Sequence, residues 1–231
     1  MAIKTAIVTG ASGNMGQAVV KKFLAEGYNV VATIVPNDPV PFDMDDKNLE
    51  KVVVDLMSED DADKFVQTAM AKYKSIDAAV LTVGGFAMGK IADTKTADIY
   101  KQYKLNFETA YNIARPIFLQ MLQQNSGRIF LIGSRPGLDA ANGKGMIAYV
   151  LAKSLIFRLA GLMNEEAKGT NVVTSVVVPS TIDTPQNRKS MPGKNYSDWV
   201  KPEDIAAVIY YHSTDEAAAI RETIIKIYNN A

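Results

Sequence analysis

The 231-residue chain contains no cysteine and only one histidine, His212. Without cysteine, disulfide bonds, thiol nucleophiles and thiolate metal ligands are excluded, and one imidazole cannot build a histidine metal cluster. We therefore expect no metal site. His212 is expected to be an ordinary residue at the surface or at a helix end.

The chain also lacks an excess of charge of either sign, because lysine plus arginine and aspartate plus glutamate both number 25. A protein without a net field has no general attraction for nucleic acid or an anionic membrane, so a small molecule is the expected partner. No apolar run approaches the ~18 residues that a membrane span needs, and no charged leader precedes the first apolar segment. These absences predict a cytoplasmic protein.

The sequence instead contains a regular alternation of β-rich and helix-period segments, with no internal repeat or linker. Several β-rich segments are near-continuous runs of Val, Ile, Leu and Ala, as in parallel strands covered on both faces. The predicted strands span residues 5–9, 30–35, 51–55, 78–83, 128–133, 172–178 and 223–228. We therefore predict an α/β fold, a Rossmann-like doubly wound parallel sheet of about seven strands with helices on both faces, in one domain over residues 1–231.

Helical periodicity fills the intervals between the strands. Predicted helices include residues 15–26, a segment that begins after Ser58 with Asp61 as a capping partner, residues 99–123 and residues 149–163. A doubly wound sheet binds ligands at the carboxyl ends of its strands, so the loops that follow the strands are expected to carry the chemistry.

A glycine-rich loop joins the first predicted strand to the first helix. Glycines allow the tight turn and the close approach of a pyrophosphate, whose charge the helix N-terminus offsets, although close helix–sheet packing also favours glycine. We predict cofactor contacts at Gly10, Ser12, Gly13, Asn14, Met15 and Gly16. Asp55, at the end of the third strand, is either an acceptor for the adenine amino group or an ordinary polar strand end.

Tyr149 and Lys153 are four residues apart on a predicted helix, which puts both side chains on one face. A nearby ammonium lowers the pKa of a tyrosine, so that the phenol can exchange a proton near neutral pH. A solvated helix face gives the same spacing, so the pair gains meaning only from its position. Ser134, at the end of the fifth strand, is either a hydrogen-bond partner for a substrate oxygen or a loop-start serine.

Taken together, the glycine loop, Asp55, Ser134 and the pair of Tyr149 and Lys153 resemble the short-chain dehydrogenase/reductase family over nearly the whole chain. The resemblance implies an enzyme that reduces a carbonyl or quinonoid small molecule with NAD(P)H. Tyr149 would be the general acid, Lys153 would lower its pKa and Ser134 would orient the substrate oxygen. Asn106 matches the family asparagine that bends its helix and holds a water connecting the lysine to solvent.

The resemblance also implies further cofactor contacts. The segment 82–85 stands where the family has N-N-A-G, and the segment 179–184 resembles P-G-x-x-x-T with Ser180 in place of glycine. The implied contacts are Leu56, Val83, Gly84, Tyr149, Lys153, Pro179, Thr181, Ile182 and Thr184. Two departures are Asn14, where the commonest family loop has glycine, and a separation of Ser134 from Tyr149 that is slightly longer than usual.

The end of the second strand bears on cofactor choice. Val35 is neither an acidic acceptor for a ribose hydroxyl nor a basic partner for a phosphate, and neither Pro36 nor Asn37 is basic. This predicts weak discrimination, with NADPH at least tolerated and the choice between NAD and NADP unresolved. A strong preference for NADH would instead mean that another acidic group, Asp38, binds the ribose.

Segments 84–89, 145–149 and 183–192, with Trp199, resemble the dihydropteridine reductase branch of the family. This implies a planar acceptor, substrate contacts at Phe86, Arg188 and Trp199, and a lid at about residues 183–200. The alternatives are a carbonyl or 3-oxoacyl reductase, or a non-catalytic NAD(P)-sensing protein that keeps the fold. The apolar circumference of helix 149–163 predicts a homodimer or homotetramer that uses this helix and the one around Asn106.

Overall fold

The computed structural model describes residues 3–221 and 223–230, and these form one seven-stranded sheet in which every strand pair is parallel. The strand order is β3-β2-β1-β4-β5-β6-β7. This confirms the predicted fold class. The strands are β1 (Thr5–Thr9), β2 (Asn29–Ile34), β3 (Leu49–Val53), β4 (Ala78–Leu81), β5 (Ser126–Ile132), β6 (Asn171–Pro179) and β7 (Ile224–Ile227).

Helices cover both faces of the sheet. The α-helices are α1 (Asn14–Ala25), α2 (Glu59–Tyr73), α3 (Thr96–Tyr103), α4 (Thr109–Gln124), α5 (Arg135–Leu138), α6 (Ile147–Glu166), α7 (Pro185–Ser190) and α8 (Pro202–His212). Short 3₁₀ turns occur at Ala140–Asn142, Tyr196–Asp198 and Asp215–Ala217. Helices α1 and α8 pack together on one face, and α2, α4 and α6 supply the core of the other.

The two cores follow from strand geometry. Successive side chains of a strand point to opposite faces, so Ile7 belongs to the core beneath α4 and α6 while Ala6 and Val8 belong to the core beneath α1 and α8. In β5, Phe130 and Leu131 divide in the same way. Each fully buried Val, Leu, Ile or Phe side chain contributes roughly 1.5–3 kcal/mol of hydrophobic stabilisation. This packing holds the carboxyl ends of the strands in a fixed arrangement.

The predicted helix over residues 99–123 is interrupted in the structure. A π-helical segment, Lys104–Glu108, separates α3 from α4, and Asn106 lies at its centre with its side chain buried. A π-helical segment widens the helix locally and frees backbone groups from the regular hydrogen-bonding pattern. The sequence predicts the helix but not its division into three segments.

Helix α6 is long and apolar enough to cross a membrane if length and composition are the only criteria. In this fold it packs against α3, α5 and β6, and the ammonium-bearing Lys153 lies on its buried face. Its solvent face also carries large apolar side chains, Leu151, Leu155 and Leu162. The helix therefore has one face that the described part of the chain covers and a second apolar face that it leaves exposed.

Candidate active site

The site forms where the order of the strands reverses, between β1 and β4. Their following connections diverge to opposite faces of the sheet, which opens a crevice at the carboxyl ends. The loop after β1 turns directly into α1, whose N-cap is Gly13. A Cβ atom on Gly16 would lie 2.3 Å from the Gly10 carbonyl oxygen, so only glycine permits this close packing of helix and loop. The first N–H groups of α1 consequently face the crevice, where they can bind a phosphate.

A cleft of about 500 Å³ runs along this edge of the sheet. Its size is in the range of small-molecule and cofactor sites, and its floor is the glycine loop. The predicted cofactor contacts that line it are Gly10, Ser12, Gly13, Asn14, Met15, Gly16, Asp55, Leu56, Val83, Gly84, Ile182 and Thr184. The described residues therefore fit a dinucleotide. Pro179 is instead buried at the end of β6, and the Thr181 carbonyl accepts a hydrogen bond from the Val200 N–H at 2.9 Å.

Asp55 lies at the wall of the cleft with its carboxylate exposed to solvent. One carboxylate oxygen accepts a hydrogen bond from the Met57 N–H at 2.9 Å, which fixes the direction of the side chain. Its second oxygen is consistent with the predicted contact to an adenine amino group.

Lys153 is buried in the interior beside the cleft. Its ammonium nitrogen donates a hydrogen bond to the Ile132 carbonyl oxygen at 2.8 Å. Burial lowers the pKa of Lys153 to about 8, because the charged form loses its hydration. The lysine can therefore gain or lose a proton within the physiological range.

Tyr149 lies one helical turn before Lys153, in the first turn of α6. Burial raises the pKa of Tyr149, and the neighbouring Ser134 hydroxyl lowers it in part. The sequence predicts instead that the nearby Lys153 ammonium lowers the pKa of Tyr149. The difference arises because the ammonium is bonded to the Ile132 carbonyl, whereas the Ser134 hydroxyl lies next to the phenol. The arrangement keeps Tyr149 a protonated phenol at neutral pH.

Ser134 and Asn106 hold the loops on either side of these groups. The Ser134 hydroxyl accepts a hydrogen bond from the Gly137 N–H at 3.1 Å and so caps α5. The Asn106 side chain accepts from the Gly85 N–H at 3.0 Å and donates to the Gly85 carbonyl oxygen at 2.9 Å. Asn106 thereby fixes the loop after β4 to the π-helical segment. The four predicted catalytic side chains are brought to one end of the sheet.

Phe86 is the predicted substrate contact that the structure brings to this group. Its side chain is 61% exposed, although it is aromatic. The Phe86 and Tyr149 rings meet edge to face, with ring centroids 5.1 Å apart and an angle of 73° between the planes. An exposed aromatic ring therefore stands beside the phenol.

The other two predicted substrate contacts are engaged elsewhere. The Nε and Nη2 atoms of Arg188 donate to the two oxygens of the Asp183 carboxylate, at 2.5 and 2.7 Å, and the guanidinium also lies over the Tyr196 ring. Trp199 is buried against Tyr196, with ring centroids 4.7 Å apart, and its carbonyl oxygen accepts from the Asn229 side chain. Arg188 therefore forms an ion pair within the segment 183–200 and Trp199 packs against it, neither lines the cleft, and their contact with substrate stays a prediction.

The segment at 183–200 instead reaches the cleft through the start of α7. Thr184 caps this helix by accepting from the Asn187 N–H, and Thr184, Gln186 and Asn187 line the cleft. Gln186 and Asn187 are not among the residues predicted from the sequence. Their position directly after Thr184 in a helix turn was the available signal.

Asp38 also lines the cleft, a few residues after Val35. The Ser12 hydroxyl of the glycine loop donates a hydrogen bond to its carboxylate. Asp38 is the acidic group that the sequence offers as a partner for the ribose if NADH is strongly preferred, and its place in the cleft suits that role.

Comparison with known proteins agrees with this geometry. The profile of the family described as short chain dehydrogenase matches residues 4–195. The chain is 28% identical to the acetoacetyl-CoA reductase of Acinetobacter sp. over 79% of its own length and 75% of that protein. It is 23% identical to the 3-oxoacyl-[acyl-carrier-protein] reductase FabG of Thermotoga maritima, over 97% of this chain and 96% of the relative. A solved structure of ElxO with NADP bound superposes with a TM-score of 0.88 at 21% identity, covering 97% of both chains. The chain therefore belongs to the short chain dehydrogenase family and is an NAD(P)(H)-dependent oxidoreductase.

Proposed function

We propose that this enzyme reduces a planar, conjugated small molecule, such as a quinonoid dihydropterin or a quinone, with NAD(P)H. The observation that carries the proposal is the exposed Phe86 ring beside the Tyr149 phenol, on which a flat acceptor can stack. The resemblance of segments 84–89 and 183–192 to dihydropteridine reductases supports the same substrate class.

The cofactor supplies the hydride, and the residues of the chain handle the proton. The Tyr149 hydroxyl donates its proton to the acceptor atom of the substrate as the hydride arrives, and the Ser134 hydroxyl holds that atom in place. The raised pKa of Tyr149 suits a group that must be protonated before it acts. Lys153, with its pKa of about 8, returns a proton to the phenol, and Asn106 orders the path from solvent.

The segment 183–200 is proposed as a lid within a single catalytic domain that spans residues 1–231. Its support is the placement of Thr184, Gln186 and Asn187 on the cleft and the internal ion pair between Arg188 and Asp183. The ion pair would let the segment move as a unit over bound cofactor.

We also propose a cytoplasmic homodimer or homotetramer. The exposed apolar face of α6, formed by Leu151, Leu155 and Leu162, supports self-association because water would otherwise cover it. Helix α4 also exposes large apolar side chains, Tyr111 and Leu119. The balanced charge of the chain supports a small-molecule substrate rather than a polyanionic partner.

A second candidate is a 3-oxoacyl or other carbonyl reductase, which the names of two relatives favour. A third, of another class, is a sensor that binds the cofactor without turnover. The proximity of Ser134, Tyr149 and Lys153 argues against a sensor, because binding alone has no use for a proton donor with a buried lysine beside it.

A spectrophotometric screen distinguishes these candidates. NADH and NADPH oxidation is followed with a quinonoid dihydropterin, quinones, simple ketones and 3-oxoacyl thioesters. We expect turnover of the planar acceptors, and Tyr149→Phe should lower kcat by a factor on the order of a hundred or more while cofactor binding stays nearly intact. Efficient turnover of aliphatic ketones or acyl thioesters alone would favour the second candidate, and a fully active Tyr149→Phe would refute the assigned acid.

A further inference from the structure

A second cavity, of about 400 Å³, opens beside the phenol, between the loop after β4 and helix α3. Phe86, Met88 and Ala148 give it an apolar wall, and Ala148 immediately precedes Tyr149 in α6. Leu105 lines this cavity and the cofactor cleft alike, so its side chain stands between the two. The cavity therefore adjoins both the proposed acid and the proposed hydride donor.

One buried amide in the wall of this cavity is Gln102, which is 4% exposed. The orientation of its neighbour Asn106 is fixed by Gly85, because a backbone N–H can only donate and a backbone carbonyl can only accept. The Asn106 amide nitrogen therefore donates a hydrogen bond to the Gln102 side-chain oxygen, at 2.9 Å.

In this orientation the Gln102 amide nitrogen makes no hydrogen bond to Asn106. Within residues 3–221 and 223–230, no group accepts a hydrogen bond from it. The nitrogen atom itself is not one of the fully buried atoms that lack a partner, so it reaches the surface of the cavity and can donate to an acceptor that enters it. The cavity lining also includes the polar side chains of Thr94, Asp98 and Lys101, which suit a heteroatom-bearing edge better than a hydrocarbon one.

We propose that this cavity is a substrate subsite and that Gln102 determines specificity in it. The amide nitrogen of Gln102 donates to a carbonyl oxygen or ring nitrogen on the edge of the substrate remote from the reacting atom. The favoured class is a flat heterocycle whose far edge carries a hydrogen-bond acceptor. The inference rests on the proposed function, since it assumes a planar substrate beside Tyr149.

Two diones of equal shape test this subsite. 9,10-Phenanthrenequinone and 1,10-phenanthroline-5,6-dione share one tricyclic outline, but only the second carries ring nitrogens opposite the dicarbonyl group. Their dissociation constants are measured by calorimetry on the enzyme saturated with oxidised cofactor, which cannot reduce them, with EDTA present. We expect the wild type to bind the nitrogen-bearing dione about five- to tenfold more tightly, as one neutral hydrogen bond allows.

The Gln102→Met variant keeps the volume of the side chain and removes its donor, so the preference should vanish while affinity for 9,10-phenanthrenequinone stays the same. Gln102→Glu keeps an oxygen that can accept from Asn106, whereas Gln102→Met does not. If kcat falls equally for both diones in Gln102→Met but not in Gln102→Glu, the loss reports the positioning of Asn106 rather than contact with the substrate. Ile91→Ala is the control, because Ile91 is exposed on the loop after β4 and lies outside the cavity wall.

Equal affinity of the wild type for the two diones, binding of neither, or a preference that survives in Gln102→Met would overturn the subsite. Failure of the proposed function is read separately. If neither dione is reduced by NADH or NADPH but the preference in binding is present and is lost in Gln102→Met, the subsite stands and the proposed reaction does not.

Discussion

The hydroxyl of Ser12 donates a hydrogen bond to the carboxylate of Asp38, which joins the glycine loop to the loop after β2. The second carboxylate oxygen accepts from the Val40 N–H at 2.9 Å. The hydrogen bond from Ser12, followed by that from Val40, lowers the pKa of Asp38. An ionised carboxylate therefore forms part of the cleft wall at neutral pH.

This carboxylate predicts a preference for NADH, because it can accept from a ribose hydroxyl and would repel a 2′-phosphate. Asp38→Asn removes the charge and keeps the shape, so kcat/KM with NADPH should rise about tenfold or more, with a smaller change for NADH. Steady-state kinetics with both cofactors measure the ratio. Asp43→Asn, an exposed acid outside the cleft wall, is the control. A wild type that prefers NADPH would contradict the prediction.

Asp38 also illustrates what could be predicted from the sequence only in part, because its chemistry suggests a partner for the ribose but its position in the cleft does not follow from periodicity. The strands and the helix with Tyr149 and Lys153 follow from local periodicity and spacing, and the structure contains them near the expected bounds. Asp38 reaches the cleft beyond Asn37, whose φ of 58° turns the chain in a way that no periodicity records. The burial of Trp199 could not be predicted for a related reason, because Asn229, whose side chain donates to the Trp199 carbonyl oxygen, is remote in sequence.

Gly84 is expected to be necessary for the spacing of Asn106 and Lys153. A Cβ atom at this position would lie 2.8 Å from the Asn106 side-chain oxygen and 3.2 Å from the Lys153 nitrogen. Gly84→Ala should therefore displace one of these groups and lower kcat by roughly ten- to a hundredfold. Gly161→Ala, where an added Cβ meets nothing within 4 Å, should leave kcat unchanged. Full activity of Gly84→Ala would show that the spacing is not critical.

We predict that the buried charge of Lys153 lowers the free energy of unfolding of the protein. Its folded-state pKa of about 8 lies below the ordinary value of 10.5. Since the unfolded chain holds the proton more tightly, the cost of burying the charge is complete below pH ~8 and disappears as pH rises towards 10.5. The pKa shift corresponds to a destabilisation of roughly 3 kcal/mol by the buried charge. We subtract about 1 kcal/mol because replacing Lys153 also removes its hydrogen bond to Ile132.

Lys153→Met should accordingly raise the free energy of unfolding by about 2 kcal/mol at pH 7 while it abolishes most activity. Urea titrations of the cofactor-free protein between pH 7 and 10 measure the difference, which should shrink as the pH rises. Lys194→Met, at an exposed position, should change stability by less than about 0.5 kcal/mol. A destabilised Lys153→Met at every pH would refute the argument.

The exposed apolar face of α6 predicts self-association. Leu151, Leu155 and Leu162 lie on one side of the helix, since they follow the helical repeat. Leu155→Arg should place a charge within the predicted interface and shift the protein towards the monomer in light scattering at micromolar concentration. Ile91→Arg, at an exposed loop position outside α4 and α6, should leave the assembly intact. A monomeric wild type would exclude the predicted dimer or tetramer.

The contact between Phe86 and Tyr149 makes the final prediction, on substrate binding. The Phe86 ring is exposed, yet its edge-to-face contact with the phenol holds it in one orientation, so a flat acceptor meets a preformed surface. Phe86→Ala should raise KM for planar acceptors roughly tenfold, about 1.4 kcal/mol of lost stacking and burial, and leave cofactor affinity nearly unchanged.

Phe86→Leu refines this prediction, because leucine keeps apolar volume beside Tyr149 but has no ring. Its KM for planar acceptors should fall between those of the wild type and Phe86→Ala, since burial is retained and stacking is lost. Ile91→Ala removes a comparable exposed side chain from the same loop and should have no effect. If Phe86→Ala left KM for planar acceptors untouched, or raised KM for aliphatic ketones equally, the ring would have no part in recognising a flat substrate, and the enzyme would be better described as a carbonyl reductase.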